Sequence, residues 1–395
     1  MSAAREPPGA WVVVWAAFAS LAIIFGVAYS FAALFESFAA AFDARRADVS
    51  LVFGLSGLVY FTLGAGAGLL ADRFGPRSVC SAGMLCIAGG LLAASMAGSM
   101  ATVVLAYGVG IGIGVALVYT PAIACVQPWF TARRGLAAGI ASAGIGAGTL
   151  VLPLLVAAAI AALDWRDALQ VLAFGVLVVG LAATWPLRSA PGAGGPAAAR
   201  SGPTLAQALR ERRFWWLYAG VLLGGPVMFA PFAHVSAAAR DLGLAEARAV
   251  GLVGLIGIGS LVGRFAIGAL ADRLGRLRTL VLMMASMSAS YLLWRAAGGW
   301  AGLAVFALWF GLSYGGIVSL LPAICMDLFG ARAVAAILGT LYTGAGVGNL
   351  LGPVLAGAVF DAQGSYAAVA WGGLAIGALA TAAVWRLGSL PGPRY

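Results

Sequence analysis

Gly68-Leu69-Leu70-Ala71-Asp72-Arg73-Phe74-Gly75-Pro76-Arg77 returns 200 residues later as Gly268-Ala269-Leu270-Ala271-Asp272-Arg273-Leu274-Gly275-Arg276. Each copy closes one long apolar run and opens the next. A charged loop has therefore been duplicated together with the helices that it joins. A chain of 395 residues with a period near half its length reads as two copies of one unit.

The solvent for that unit follows from composition. Hydrophobic residues make up 63% of the chain and charged residues 9%, and the mean hydropathy is +1.01. A soluble domain carries roughly 25% charged residues, so this is an integral membrane protein. Its apolar runs are about twice the ~10 residues of a barrel strand, which selects helices. The 57 glycines suit helices that pack closely where lipid supplies no hydrophobic drive.

Runs between charges and Gly/Pro breaks predict spans near 11–38, 49–71, 78–98, 101–128, 134–160 and 168–187. A second set falls near 212–236, 248–271, 279–297, 300–328, 333–359 and 366–387. The Pro/Gly-rich connector around Pro191–Pro196 divides them. The expected fold is all-α, with an N-terminal six-helix bundle over 1–187, a linker over 188–211 and a C-terminal bundle over 212–395.

All 23 basic residues are arginine, and the net charge is +10. They lie in short loops between apolar runs, so they point to membrane orientation rather than to nucleic acid. With the N-terminus inside, 16 arginines fall on the cytoplasmic side and 6 (Arg45, Arg46, Arg166, Arg240, Arg248 and Arg295) on the other. Both termini and the linker are thus expected to be cytoplasmic. The first apolar run, from Trp11, is too long for a signal peptide and reads as a retained helix. The four cysteines (Cys80, Cys86, Cys125 and Cys325) have no metal-ligand spacing. No metal, cofactor or nucleophile–base constellation is implied, and the chain is expected not to be an enzyme.

The repeat reaches beyond the loop. Gly144, Gly146, Gly148 and Pro153 match Gly344, Gly346, Gly348 and Pro353, each displaced by 200. Pro121-Ala122-Ile123 matches Pro322-Ala323-Ile324. Symmetry breaks where Gly64 faces Arg264, Ser142 faces Tyr342 and Thr149 faces Asn349. Repeated halves of this kind characterise secondary transporters, which rock around a central site.

The duplicated loop resembles the signature of the major facilitator superfamily. Finer features resemble its bacterial monocarboxylate-porter branch: Tyr29-Ser30-Phe31-Ala32-Ala33-Leu34-Phe35, then Arg46-Ala47-Asp48-Val49-Ser50-Leu51. Gln127-Pro128-Trp129-Phe130 through Arg133-Arg134-Gly135, Gly263-Arg264 and Asp327-Leu328-Phe329-Gly330 continue the likeness. It covers nearly the whole chain. It implies a twelve-helix transporter of a small organic anion, proton symport, a monomer as functional unit and a bacterial inner membrane. Two features depart from the animal-type pattern: Pro8-Gly9-Ala10-Trp11 stands for Asp-Gly-Gly-Trp, and neither the span-1 lysine nor the span-8 aspartate is present. Ser260 occupies the latter position.

Arg264 is the leading substrate residue. Eight residues from Asp272, it sits ~12 Å inside the boundary, against a hydrocarbon half-thickness of about 15 Å. A charge there costs ~3 kcal/mol even on a lenient scale and must face protein or water. Guanidinium can grip a carboxylate through two parallel hydrogen bonds. The bland alternative is a gating or packing arginine capped by carbonyls. Tyr29, Tyr119, Tyr314, Tyr342 and Asn349 lie at similar depth and can orient a carboxylate, although each could equally serve helix packing. His234, the sole histidine, and Glu36 are the proton-coupling candidates. An interfacial histidine bonded to a carbonyl is the alternative for His234. Asp72, Arg73, Asp272 and Arg273, with Arg133 and Arg134, are expected to gate by breaking and remaking contacts with helix termini.

The expected function is transport of a lactate- or pyruvate-like monocarboxylate, or a related organic anion, by alternating access. The rivals are an exchanger of dicarboxylates such as oxalate, an efflux carrier for apolar compounds and a ligand-sensing transceptor.

Overall fold

A computed structural model describes residues 7, 9–130, 133–190, 202–330 and 332–390, and the backbone alone of residues 134, 135, 268, 269 and 272. Among the described residues, twelve helices are long and apolar enough to cross a membrane. They are α1 (Ala10–Phe42), α2 (Arg46–Phe74), α3 (Pro76–Ser95), α4 (Met100–Trp129), α5 (Arg134–Ala162) and α6 (Trp165–Thr184). The second series is α7 (Arg212–Asp241), α8 (Glu246–Leu274), α9 (Arg276–Ala296), α10 (Trp300–Phe329), α11 (Val334–Gln363) and α12 (Ala367–Leu387). No strand occurs among the described residues. Hydrocarbon offers no partner for backbone N–H and C=O groups, so each apolar run must satisfy its own, and a helix does so within one segment.

The duplicated loops turn on Gly75 and Gly275, whose φ values of 83° and 88° fall in the region that favours glycine. Their recurrence at one spacing is why the two loops share a shape. Several helices outrun the apolar stretches that predict them: α2 begins at Arg46 rather than 49, α7 ends at Asp241 rather than 236, and α11 ends at Gln363 rather than 359. Hydropathy places helix ends at the first charges. Here those charges are satisfied by other helices, so the backbone stays wound. In α1 the winding is interrupted at Ser30, whose hydroxyl donates back to the Gly26 carbonyl at 2.7 Å.

Within the first six helices α1 packs on α5, and α4 on both α2 and α3. Within the last six α7 packs on α11, and α10 on both α8 and α9. Two seams join the sets, α2 against α11 and α5 against α8. Small residues set the closeness of both. A Cβ built on Gly146 would lie 3.0 Å from the Gly257 carbonyl oxygen, and one on Gly57 would lie 1.7 Å from Asn349 Nδ2.

Candidate functional site

Arg264 is 9% exposed, and neither its Nε nor its Nη2 has a hydrogen-bond partner among the described residues. Its helix is held hard against α10: a Cβ on Gly263 would stand 2.1 Å from the Leu312 carbonyl oxygen. That contact fixes the rotation of α8 and leaves Arg264 lining a cavity between the seams. Tyr60 of α2, Tyr119 of α4, Tyr314 of α10 and Tyr342 of α11 line the same cavity. An unpaired guanidinium in such surroundings is costly. A carboxylate placed beside it would lower that cost.

Aromatic rings line the cavity around Arg264. Phe25 meets Tyr119 edge-on at 5.4 Å, and Phe61 lies 5.6 Å from Tyr342 and 5.7 Å from Phe229. Tyr29 stacks on Phe232 at 4.3 Å, and its hydroxyl is 3.2 Å from that of Tyr314. Both pairs cross from one six-helix set to the other. The cavity can therefore hold a small molecule with one acidic group and an apolar remainder.

The predicted residues divide into three places. Arg264, Tyr119, Tyr314 and Tyr342 line the cavity, and Tyr29 reaches it through Tyr314. Asn349 lies in the α2–α11 seam, where Nδ2 donates to the carbonyls of Phe53 at 3.1 Å and Gly54 at 3.3 Å. It packs helices together rather than facing the cavity. His234 and Glu36 belong to a separate cluster toward the Arg46 end of α2.

That cluster spans both helix sets. Arg46 holds Asp241 of α7 through two hydrogen bonds of 2.7 and 2.8 Å, donates to the Tyr366 hydroxyl at 2.8 Å, and lies 3.8 Å from the Phe360 ring centroid. Asp361 accepts from the backbone N–H groups of Arg46 and Ala47 at 3.1 and 2.9 Å, so a carboxylate from α11 caps the first turn of α2. Arg240 pairs with Glu246 at 2.6 Å and reaches the Ala32 carbonyl at 3.0 Å. Glu36 lies 3.7 Å from Arg240 and 3.9 Å from Arg46.

His234 is fully buried under this network. Nε2 is 2.7 Å from the Pro353 carbonyl, which can only accept, so Nε2 carries the proton. Nδ1 then accepts from the Tyr366 hydroxyl at 2.9 Å. The chain runs in one direction, from Arg46 to Tyr366 to His234 to Pro353.

The loop residues sit at the opposite end. Asp72, Arg73 and Arg273 are exposed, with Arg73 over the Phe74 ring at 5.2 Å, and Arg133 is exposed. The side chains of Arg134 and Asp272 lie outside the described residues. The two loops differ in their ties. Arg276 pairs with Asp327 at 2.7 Å, whereas Arg77 donates to the Trp185 carbonyl and covers its ring at 3.9 Å.

Sequence reasoning missed Tyr60, Phe61, Arg46, Asp241 and Asp361. Tyr60 faces Ser260 at the 200-residue displacement, a signal that comparison of the halves could have caught. The acidic partners of Arg46 are 195 and 315 residues away, which no local pattern can reveal.

The Major Facilitator Superfamily model matches residues 16–340 and 227–394. Monocarboxylate transporter 13 of Bos taurus is 31% identical over 382 residues, covering 93% of this chain and 87% of that protein. Monocarboxylate transporter 11 of Homo sapiens is 30% identical over 387 residues, covering 92% and 80%. MFS transporter asaE of Aspergillus flavus is 30% identical over 363 residues, covering 90% of this chain and 81% of the relative. Among solved structures, a bacterial homolog of the human lysosomal transporter Spinster, in an inward-facing and unoccupied conformation, superposes with a TM-score of 0.70. It covers 98% of this chain and 96% of its own at 16% identity, a likeness of fold alone. These relatives are transporters, and this twelve-span chain belongs to the major facilitator superfamily.

Proposed function

We propose that the protein carries a monocarboxylate or related organic anion by alternating access, with Arg264 as the charge that receives the carboxylate. One observation carries this reading: a buried guanidinium with two unpartnered nitrogens in an aromatic cavity between the helix sets. A carboxylate can satisfy those nitrogens, and a cation would meet no acid among the residues lining the cavity. Kinship with monocarboxylate transporters of animals supports the same chemistry. The tyrosine hydroxyls around Arg264 would orient the anion.

The working units in this scheme are the two six-helix bundles joined by the 188–211 linker, in a monomer. The arginine bias supports cytoplasmic termini in a bacterial inner membrane. On that orientation the Arg46 cluster is the outer gate, and the conformer described here is sealed on the outside. The exposed loops carrying Asp72, Arg73, Arg133, Arg134, Asp272 and Arg273 would act at the inner mouth. Proton symport is assigned to His234 with Glu36 beside it, since both belong to the gate that must open to receive substrate.

Uptake of labelled lactate, pyruvate and larger monocarboxylates into proteoliposomes, with and without an inward proton gradient, tests this. Wild type accumulates an acid and Arg264→Ala does not. Undiminished uptake by that variant would remove Arg264 from the site. Transport confined to neutral apolar compounds would remove the anion assignment, and the second reading, an efflux carrier, would take its place. The apolar wall and the kinship with fungal MFS transporters favour that alternative.

A further inference from the structure

Beyond Arg264 and the tyrosines, the cavity continues into the second helix set. There Leu217 and Val221 of α7, Met284 and Met287 of α9 and Val384 of α12 form a recess without a polar side chain. Apart from Arg264 and the tyrosines, every residue lining the cavity is apolar. A three-carbon acid held at Arg264 carries little apolar body to cover such a wall.

The recess exists because α7 is small where it borders it. Three glycines line this stretch, and they are not alike. A Cβ on Gly220 would meet Val384 at 2.3 Å, and one on Gly225 would meet the Gly348 Cα at 2.8 Å, so close packing explains both. A Cβ on Gly224 would meet nothing nearer than Met284 Cε at 3.4 Å, an ordinary contact. Packing therefore does not require glycine there. The first half shows the filled alternative: Ile24 and Phe25 stand at the positions displaced by 200 from Gly224 and Gly225, and both are buried. The register holds in three dimensions, since Gly26 abuts Gly148 and Leu152 as Pro226 abuts Gly348 and Gly352. Methionine, unbranched and polarisable, suits a wall that must fit more than one apolar shape.

We propose that this recess is a second subsite, kept open by Gly224, and that the substrate is a carboxylate with a branched, longer-chain or aromatic body rather than a three-carbon acid. The assignment rests on Arg264 as the anion site. The acid group lies at Arg264 and the body enters between α7, α9 and α12. The side chain at position 224 sets how much body is accepted.

The test is a chain-length series with the purified full chain: acetate, butyrate, hexanoate and 3-phenylpropionate, with hexanamide as the uncharged control. Affinities come from ligand-induced thermal stabilisation. In wild type the dissociation constant falls roughly fourfold for each methylene that enters the recess, and hexanamide binds more weakly than hexanoate. Gly224→Leu flattens the gradient, and so does Met287→Phe, which fills the recess from α9. Arg264→Ala weakens every acid while keeping the gradient. Equal binding from acetate to hexanoate in wild type would overturn the recess and leave the anion site standing. So would a full gradient retained in both filling variants. Binding of no acid at all would take down both assignments.

Discussion

Arg46→Ala should loosen the seal at one end of the molecule by an amount that can be worked from its contacts. The guanidinium is 16% exposed but its carboxylate partner Asp241 is 36% exposed, so the ion pair is discounted to the surface range, below about 1 kcal/mol. The hydrogen bond to Tyr366 adds about 1 kcal/mol, and the contact 3.8 Å above Phe360 adds about 0.5 kcal/mol. These sum to about 2 kcal/mol, or roughly a 30-fold shift in the ratio of open to sealed molecules. The backbone cap by Asp361 survives the substitution, which keeps the effect from being larger. Spin labels at Ala44 and Ser365, in a background with the four cysteines replaced by alanine, report the separation of the two helix sets at this end. Pulsed dipolar spectroscopy in nanodiscs should show a long-distance population gaining at the expense of the short one. A distribution identical to that of the parent would refute the claim that Arg46 holds the halves together.

Other expectations follow from the same contacts. Asp361→Asn weakens the acceptor on the first turn of α2 and should open the same end by roughly 0.5–2 kcal/mol, read with the same labels. Acidification should also open it. Protonation of His234 at Nδ1 removes the acceptor for the Tyr366 O–H and puts a charge on a fully buried ring beside Arg46, a cost that Asp241, Asp361, Glu36 and Glu246, already engaged with Arg46, Arg240 and the α2 backbone, offset from a distance. The Tyr366 oxygen already accepts from Arg46, so a protonated Nδ1 would have to compete with that guanidinium for it. The sealed form is thus favoured above the His234 titration and lost as pH falls through it, and a His234→Phe variant whose opening still follows pH would exclude the imidazole as the sensor. Gly57→Ala places a Cβ 1.7 Å from Asn349 Nδ2, so the α2–α11 seam must part. A drop in the thermal midpoint is expected, with partial recovery in the Gly57→Ala/Asn349→Ala double variant. Full stability of the single variant would contradict the described seam.

The architecture was legible because bilayer thickness dictates helix length, and because the Asp72 and Asp272 loops lay the halves on one another in register. Arg264 was legible for an energetic reason: a charge in a long apolar run needs an explanation wherever it occurs. Asn349 was legible as polar, with helix packing and ligand contact equally open, because its partners are backbone carbonyls of α2, and any α2 sequence presents carbonyls. His234 stood out as the sole histidine, yet the residues that fix its tautomer, Pro353 and Tyr366, are 119 and 132 positions away. Gly224 was invisible among 57 glycines until the structure showed that it has room for a Cβ, unlike its cavity-lining neighbours Gly220 and Gly225.

The cap that Asp361 places on α2 has a further consequence. Those two N–H groups belong to a helix in one half, and their acceptor belongs to the other. When the halves part at this end, the first turn of α2 loses acceptors that its own chain does not replace, and its amides turn to water. The helix should therefore fray and rewind once per transport cycle. Deuterium uptake at Arg46 and Ala47 would then count gate openings directly, and a local melting equilibrium would be part of the free energy of the gate.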